Sequence, residues 1–201
     1  MTKNTTIDMD ALRQKYFPLK LKGGLTVRTA TKKEVMDLIA KSYDKVFPDR
    51  GETPCFRLSP ERRKKAQEFW KMYDVLHHEW FLFLDPKGTP IGWHMGEAED
   101  FQTFYMRNTG ILPKYQGKGI YGNFLKAFSS YLKALGYERI SSQHKPTNKS
   151  ILILKLKQGF VIGGFEMNEN WGALVKMVKI LPEDRRESFY RQFGDKVHLS
   201  Q

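Results

Sequence analysis

The stretch from Gly110 to Tyr121 reads G-I-L-P-K-Y-Q-G-K-G-I-Y, with glycines at 117 and 119 and lysines at 114 and 118. An apolar segment runs into Pro113, and Ile120, Phe124, Leu125, Phe128, Leu132 and Leu135 follow at helical spacing. The pattern is a strand, a glycine turn and a helix start. At such a helix mouth several backbone N–H groups have no intrahelical acceptor, and the aligned peptide dipoles add partial positive charge. The natural ligand is an anion, and phosphate fits best. Glycine at 117 and 119 permits the φ values of a tight anion nest and keeps Cβ atoms out of a ligand's path, while Lys114 and Lys118 add charge. Spacing excludes two other phosphate loops: Gly119 is followed by Ile120 rather than by Lys and a hydroxyl residue, and Gly117, Gly119 and Gly122 stand at the wrong intervals for G-x-G-x-x-G.

The elements that must hold this turn follow from periodicity and punctuation. Residues 1–24 contain a short helical pattern from Asp8 to Tyr16 and end in Lys22-Gly23-Gly24, a flexible joint. Leu25 to Ala30 alternates as a first strand. Thr31 and Glu34 have capping-box spacing ahead of a helix bearing Val35, Leu38, Ile39, Tyr43 and Val46, which Phe47-Pro48 ends. Residues 49–58 read as a loop, and Ser59-Pro60 opens a second helix with Phe69, Trp70, Tyr73 and Leu76. Trp80–Leu84 and Ile91–Met95 flank a Pro/Gly turn as antiparallel strands, Phe101–Ile111 is a fourth strand and Arg139–His144 a fifth. Between Asn148 and Gln158 a helix carries Ile151, Leu152, Ile153, Leu154 and Leu156 on nearly all sides, which predicts burial. Phe160–Met167 and Leu174–Ile180 form a terminal hairpin. Pro182 opens a last helix with Phe189, Tyr190 and Phe193, stopped by Gly194, that covers a sheet edge or joins two copies as a homodimer.

Gln116-Gly-Lys-Gly119-Ile-Tyr121 resembles the acyl-CoA pyrophosphate loop of the GNAT superfamily of acyltransferases: Arg or Gln, two variable residues, Gly, one variable residue, then Gly or Ala. Tyr121 departs from the last position. A second match follows in the right order, with Asn148, Leu154, Gly159 and Phe160 in register with the family's segment that begins in Asn and ends in Gly-Phe. The resemblance implies an α/β fold with a mixed, mostly antiparallel central sheet splayed between strands 4 and 5 and flanked by helices. It implies a GNAT domain over residues 25–181, with an N-terminal extension at 1–24 and an added helix at 182–201. A bulge near Asn108–Gly110 would part the two strands so that backbone near Ile111 and Leu112 pairs with the pantetheine arm. Acetyl-CoA is the implied co-substrate, bound by Ile111, Leu112, Gln116, Gly117, Lys118, Gly119, Ile120, Tyr121 and Asn148. Asn148 is equally an N-cap, and Tyr121 bonds a phosphate or ribose or fills the place of the missing small residue.

Acyl transfer to an amine needs a neutral nucleophile, a polarised carbonyl and a proton for the leaving thiolate. Many family members place a tyrosine seven residues after the Asn, here Lys155, and some a glutamate five residues before it, here Gln143. Both usual proton carriers are replaced. The substitutes are His144, whose pKa near neutrality suits a relay, with Ser142 on the same strand, and Tyr105 as an acid for the thiolate. Each has a structural reading beside the catalytic one, a strand-end hydrogen bond for His144 and core packing for Tyr105. Glu97, Glu99 and Asp100 either bind the acceptor amine or are solvated.

Composition narrows the classes. At 201 residues with 40% hydrophobic residues the chain suits one globular domain. Cys55 is the single cysteine, which excludes an internal disulfide and a paired-cysteine zinc site, and no metal is expected. No apolar run approaches the ~20 residues of a membrane span, and the start lacks a signal-peptide core, so a cytoplasmic location is expected. The net charge of +12 is segregated: residues 101–160 carry ten Lys/Arg against one acid, and residues 73–100 one Lys against six acids. The first would attract a phosphate-rich nucleotide and the second a cationic acceptor. No RNP, zinc-finger or helix-turn-helix signature supports nucleic-acid binding. The resulting expectation is an acetyl-CoA-dependent N-acyltransferase acting on a small-molecule or peptide amine in a ternary complex, with a non-catalytic acyl-CoA sensor as the alternative.

Overall fold

A single mixed sheet organises the chain, and local signals in the sequence account for most of what flanks it. The computed structural model describes residues 7–48 and 59–192. The elements are α1 (Met9–Tyr16), β1 (Leu19–Lys20), β2 (Thr26–Thr29), α2 (Lys32–Val46), α3 (Pro60–Tyr73), β3 (His78–Leu84), β4 (Pro90–Ala98), β5 (Thr103–Ile111), α4 (Ile120–Ala134), β6 (Arg139–His144), α5 (Lys149–Lys157), β7 (Val161–Asn168), β8 (Gly172–Ile180) and α6 (Glu183–Gln192). The sheet order is β1-β2-β3-β4-β5-β6-β8-β7, antiparallel except for the β5–β6 pair. This is the expected α/β sheet, with β5 and β6 as the strands numbered 4 and 5 in the sequence, because β1 adds a strand at the front. The joint expected at residues 22–24 is a tight turn closing a β1–β2 hairpin, with Gly23 and Gly24 at φ 74° and 73°.

The caps explain where helices start. Thr31 and Glu34 form the reciprocal capping box of α2, and Ser59 Oγ accepts from the Arg62 amide at the start of α3. α4 lays Phe124, Leu125, Phe128, Tyr131 and Leu132 against one sheet face, where Phe81, Phe83, Phe104 and Ile140 are almost wholly buried. α2 covers the other face over Leu82 and Trp93. Phe17, from the segment preceding the first expected strand, is part of the α4-side core and packs tilted against Phe81 with ring centroids 4.5 Å apart.

Two expectations change, the burial of α5 and the place of the β5 bulge. α5 does not bury its aliphatic residues: Ile153 is 52% and Leu156 38% exposed, and the side chain with no exposure is Lys155. α3 leaves Phe69 and Trp70 on its surface at 71% and 72% exposure, and the loop at 49–58, with the end of the last helix at Phe193 and Gly194, lies outside the described residues. The β5 irregularity is earlier than Asn108–Gly110. Met95 pairs with Asn108 and Glu97 with Tyr105, so Met106 and Arg107 together face Gly96. A Cβ on Gly96 would lie 2.5 Å from the Tyr105 carbonyl oxygen, so the bulge depends on that glycine.

Candidate functional site

β5 ends at Ile111, a 3-10 turn spans Pro113–Tyr115, and α4 begins after Gly119. Gly117 and Gly119 both adopt φ 73°, a left-handed conformation that costs other residues about 1 kcal/mol or more. Gly119 occupies the N-cap position and no side chain caps α4. The side chains that approach it donate rather than accept: Asn123 Nδ2 bonds the Gly119 carbonyl at 3.0 Å and Gln116 Nε2 the Ile111 carbonyl at 2.8 Å. The N–H groups of Gly117 through Tyr121 therefore find no acceptor among the described residues. Lys114 and Lys118 place Nζ 5.8 and 5.1 Å from the Tyr115 ring centroid, which gathers both charges beside the turn. Ile120 is buried in the core, and Tyr121 packs against it with its phenol pushed up by burial. The Tyr121 backbone N–H is among those without an acceptor in the described residues.

Beside this turn the two parallel strands share only three register pairs, Thr103 with Arg139, Phe104 with Ile140 and Tyr105 with Ser141. Leu112 N–H bonds the Ile91 carbonyl at 2.9 Å, which makes Ile111 and Gly92 a non-hydrogen-bonded pair. The backbone groups of Ile111, and by the period of two those of Thr109, point away from β4 toward the β6 side. Leu112 is different. Its N–H is taken by Ile91 and its carbonyl by the Tyr115 N–H, so the strand edge turned toward β6, expected at Ile111 and Leu112, is at Thr109 and Ile111, where the Ile111 carbonyl already accepts from Gln116 Nε2.

The polar candidates divide between the two sheet faces because successive strand residues alternate. On one face Tyr105 donates its hydroxyl to Gln143 Oε1 at 3.1 Å, Gln143 in turn bonds Glu166, and Arg107 lies 5.2 Å from the Tyr105 ring. Burial raises the Tyr105 phenol pKa. The acids on this side are committed: Glu97 is buried against Arg107, Glu99 bonds Ser141 and Lys176, and Asp100 accepts from the amides of Gln102 and Thr103. On the other face, under α5, Lys155 Nζ donates to Ser142 Oγ at 2.6 Å, and Ser142 Oγ lies 3.1 Å from His144 Nε2. His144 is not poised near neutrality; burial, then the charge of Lys155, lowers its pKa to about 3. Asn148 sits at the N-cap of α5 without making the cap bond, and instead Ser150 Oγ donates to its Oδ1 at 3.3 Å. Sequence reasoning brought Tyr105 and His144 together as alternatives, and the structure sets them on opposite faces. It missed His94, fully buried with Nδ1 2.7 Å from Thr109 Oγ1, whose pKa burial and Lys155 lower to about 3. An uninterrupted β4 pattern carried no signal for it. Among the described residues no cluster could hold a metal ion, and no helix is long and apolar enough to cross a membrane.

The sheet is that of an α/β protein with one parallel pair, β5–β6, whose register ends at Tyr105 and Ser141, and with a glycine-led start of α4 that no side chain caps. The acetyltransferase (GNAT) family profile matches residues 36–160, and the chain belongs to that family. Solved structures agree on the fold. A GNAT family acetyltransferase from Elizabethkingia anophelis with acetyl-CoA bound aligns with TM-score 0.58 at 19% identity over 80% of this chain and 100% of that one. Spermidine N-acetyltransferase from Vibrio cholerae in complex with CoA and spermine gives 0.58 at 16%, over 79% and 96%. Ribosomal-protein-S5-alanine acetyltransferase from Vibrio fischeri gives 0.60 at 17%, over 82% and 97%. No curated protein matches the sequence significantly.

Proposed function

We propose that this protein is an acetyl-CoA-dependent N-acetyltransferase that joins acetyl-CoA and an amine acceptor, a small molecule or a peptide amine, in one ternary complex. The observation that carries the reading is the run of N–H groups from Gly117 to Tyr121 at the mouth of α4 that have no acceptor among the described residues. Such a row, with the helix dipole behind it, binds a diphosphate without help from a metal. Lys114 and Lys118 supply charge, Gln116 holds the turn to the end of β5, and the Thr109 and Ile111 edge suits the amides of a pantetheine arm. Asn148 stands at the start of α5. When bound, acetyl-CoA supplies the activated acyl group. The protein's own part is to hold it, exclude water beside the buried β6 serines and present the acceptor from the Tyr105 face. The amine acceptors in the names of the Vibrio neighbours are a polyamine and a protein alanine, and both belong in the acceptor panel.

Isothermal titration with acetyl-CoA tests the binding step. Wild type is expected to bind at tens of micromolar or tighter, and Gly119→Ala, which forces a Cβ into a left-handed φ, about tenfold more weakly. No heat of binding at that concentration would remove the reading. A panel of amines assayed for thiol release then separates an enzyme from an acyl-CoA sensor, which would bind and not turn over.

A further inference from the structure

Lys155 is the most unusual side chain in the molecule. It has no exposed surface, lies on a helix whose aliphatic neighbours are partly exposed, and pairs with no carboxylate among the described residues. Its surroundings come from four strands and from the residue that precedes β7. Ser142 Oγ of β6 accepts from Nζ at 2.6 Å, Met106 Sδ of β5 lies at 3.7 Å, and the ring of Phe160, just past α5, has its centroid 4.5 Å away. Lys179 of β8 shares that ring from 5.8 Å and repels it, and His94 of β4 and His144 of β6 are both held neutral partly by its charge. Burial, then Lys179, lowers its pKa to about 7.

The position in the sheet matters more than the titration. Tyr105 and Ser141 are the last register pair between the parallel strands. The next residue on each strand is Met106 and Ser142, and both contact Lys155 Nζ. The bulge that takes β5 out of register begins at the same Met106. The ammonium therefore stands at the apex of the gap between β5 and β6, where an arm laid along Thr109 and Ile111 would end.

We propose that Lys155 is the proton donor to the leaving thiolate, and that Ser142 and His144 form the path by which its proton is replaced. This rests on the acetyl-CoA reading above. In the step, the acceptor nitrogen forms a bond to the acyl carbon, the carbon–sulfur bond breaks with its electron pair going to sulfur, and a proton passes from Lys155 Nζ to that sulfur. The acceptor amine loses one proton to solvent on the Tyr105 side. The neutral Nζ then accepts from Ser142 Oγ, which accepts in turn from His144 Nε2, and the imidazole, which stays neutral, takes a solvent proton at Nδ1 as it gives up the one at Nε2. Lys155 is the catalytic group. Ser142 and His144 act through it.

The test uses CoA with its free thiol, which needs no acceptor. Bound to wild type, Lys155→Met and Ser142→Ala, its thiolate is followed by ultraviolet absorbance across pH. The thiol should ionise in wild type at a pH lower by about one unit or more than in Lys155→Met, since an adjacent cation lowers a thiol pKa and an apolar pocket raises it. Calorimetry should give both proteins CoA affinities within about threefold, because the phosphate contacts lie at α4. Turnover with any accepted amine should fall about a hundredfold in Lys155→Met. In Ser142→Ala the thiolate titration should stay near wild type while turnover falls and becomes sensitive to small diffusible buffer acids. Identical thiol titration in wild type and Lys155→Met overturns the proposal. Failure of wild type to bind CoA removes the acetyl-CoA reading and this one with it, whereas binding with unchanged titration removes this one alone.

Discussion

At the scale of single residues, Lys155 makes a stability prediction independent of any ligand. Its folded pKa of about 7 lies below the ordinary 10.5, so between those values the unfolded chain holds a proton that the folded chain does not. Stability contributed at this site is therefore lowest below pH 7 and rises as pH climbs toward 10.5. Lys155→Met should be more stable than wild type near pH 6, by on the order of a few kcal/mol, since removing a buried charge with a well-packed apolar side chain is often stabilising. The gap should narrow through the alkaline range. Urea denaturation of both proteins at pH 6, 8 and 10 measures it, and a gap that is constant with pH would show that the ammonium is not desolvated. Nothing in the sequence marks Lys155 as buried. It follows four aliphatic residues, Ile151 to Leu154, in a run where hydrophobicity argues for the opposite, and only the packing of α5 against β5 and β6 turns its face inward.

At the scale of elements, α1 is fixed to the sheet by one buried acid. Glu79 on β3 is 2% exposed and accepts from Arg13 Nη2 of α1 at 3.0 Å, from Tyr131 Oη of α4 at 2.5 Å and lies 2.8 Å from His77 Nε2. Burial alone would raise its carboxyl pKa, and bonds from His77, Tyr131 and Arg13 outweigh that and hold it below the usual range. Arg13→Met leaves this carboxylate buried with only Tyr131 and His77 of those three partners and should cost roughly 2 to 4 kcal/mol, read as a fall in thermal midpoint of several degrees. Because a depressed carboxyl pKa confers stability that disappears as pH falls through it, the variant should also begin to unfold at a higher pH on acid titration. A midpoint within a degree of wild type would mean that α1 is not held through Glu79. Sequence punctuation located α1 itself, the Thr31–Glu34 box and the Ser59-Pro60 start, because those signals act within one turn. It placed neither the Glu79 network nor the bulge, which depend on residues 52 and 10 positions apart meeting across the sheet.

At the scale of the whole molecule, charge is sorted relative to the proposed site. The chain carries a formal +12, and residues 101–160, which contain the α4 turn, hold ten Lys/Arg against one acid. Segregation of this kind was legible from counting alone. Its meaning was not, because counting cannot separate a solvated face from one focused on a ligand, and in the structure Lys114 and Lys118 converge on Tyr115 next to the open amides. A focused cationic patch should make acetyl-CoA binding depend on ionic strength. Raising salt from about 50 to about 500 mM should weaken binding several-fold, and Lys114→Gln combined with Lys118→Gln should weaken it at low salt while flattening the dependence. The acids Glu97, Glu99 and Asp100 lie toward the opposite end of β5 and are each bonded to a basic partner. If the double variant keeps the full salt dependence, the attraction comes from the molecule's overall charge rather than from the turn, and the diphosphate would then be held by the backbone amides and the α4 dipole alone.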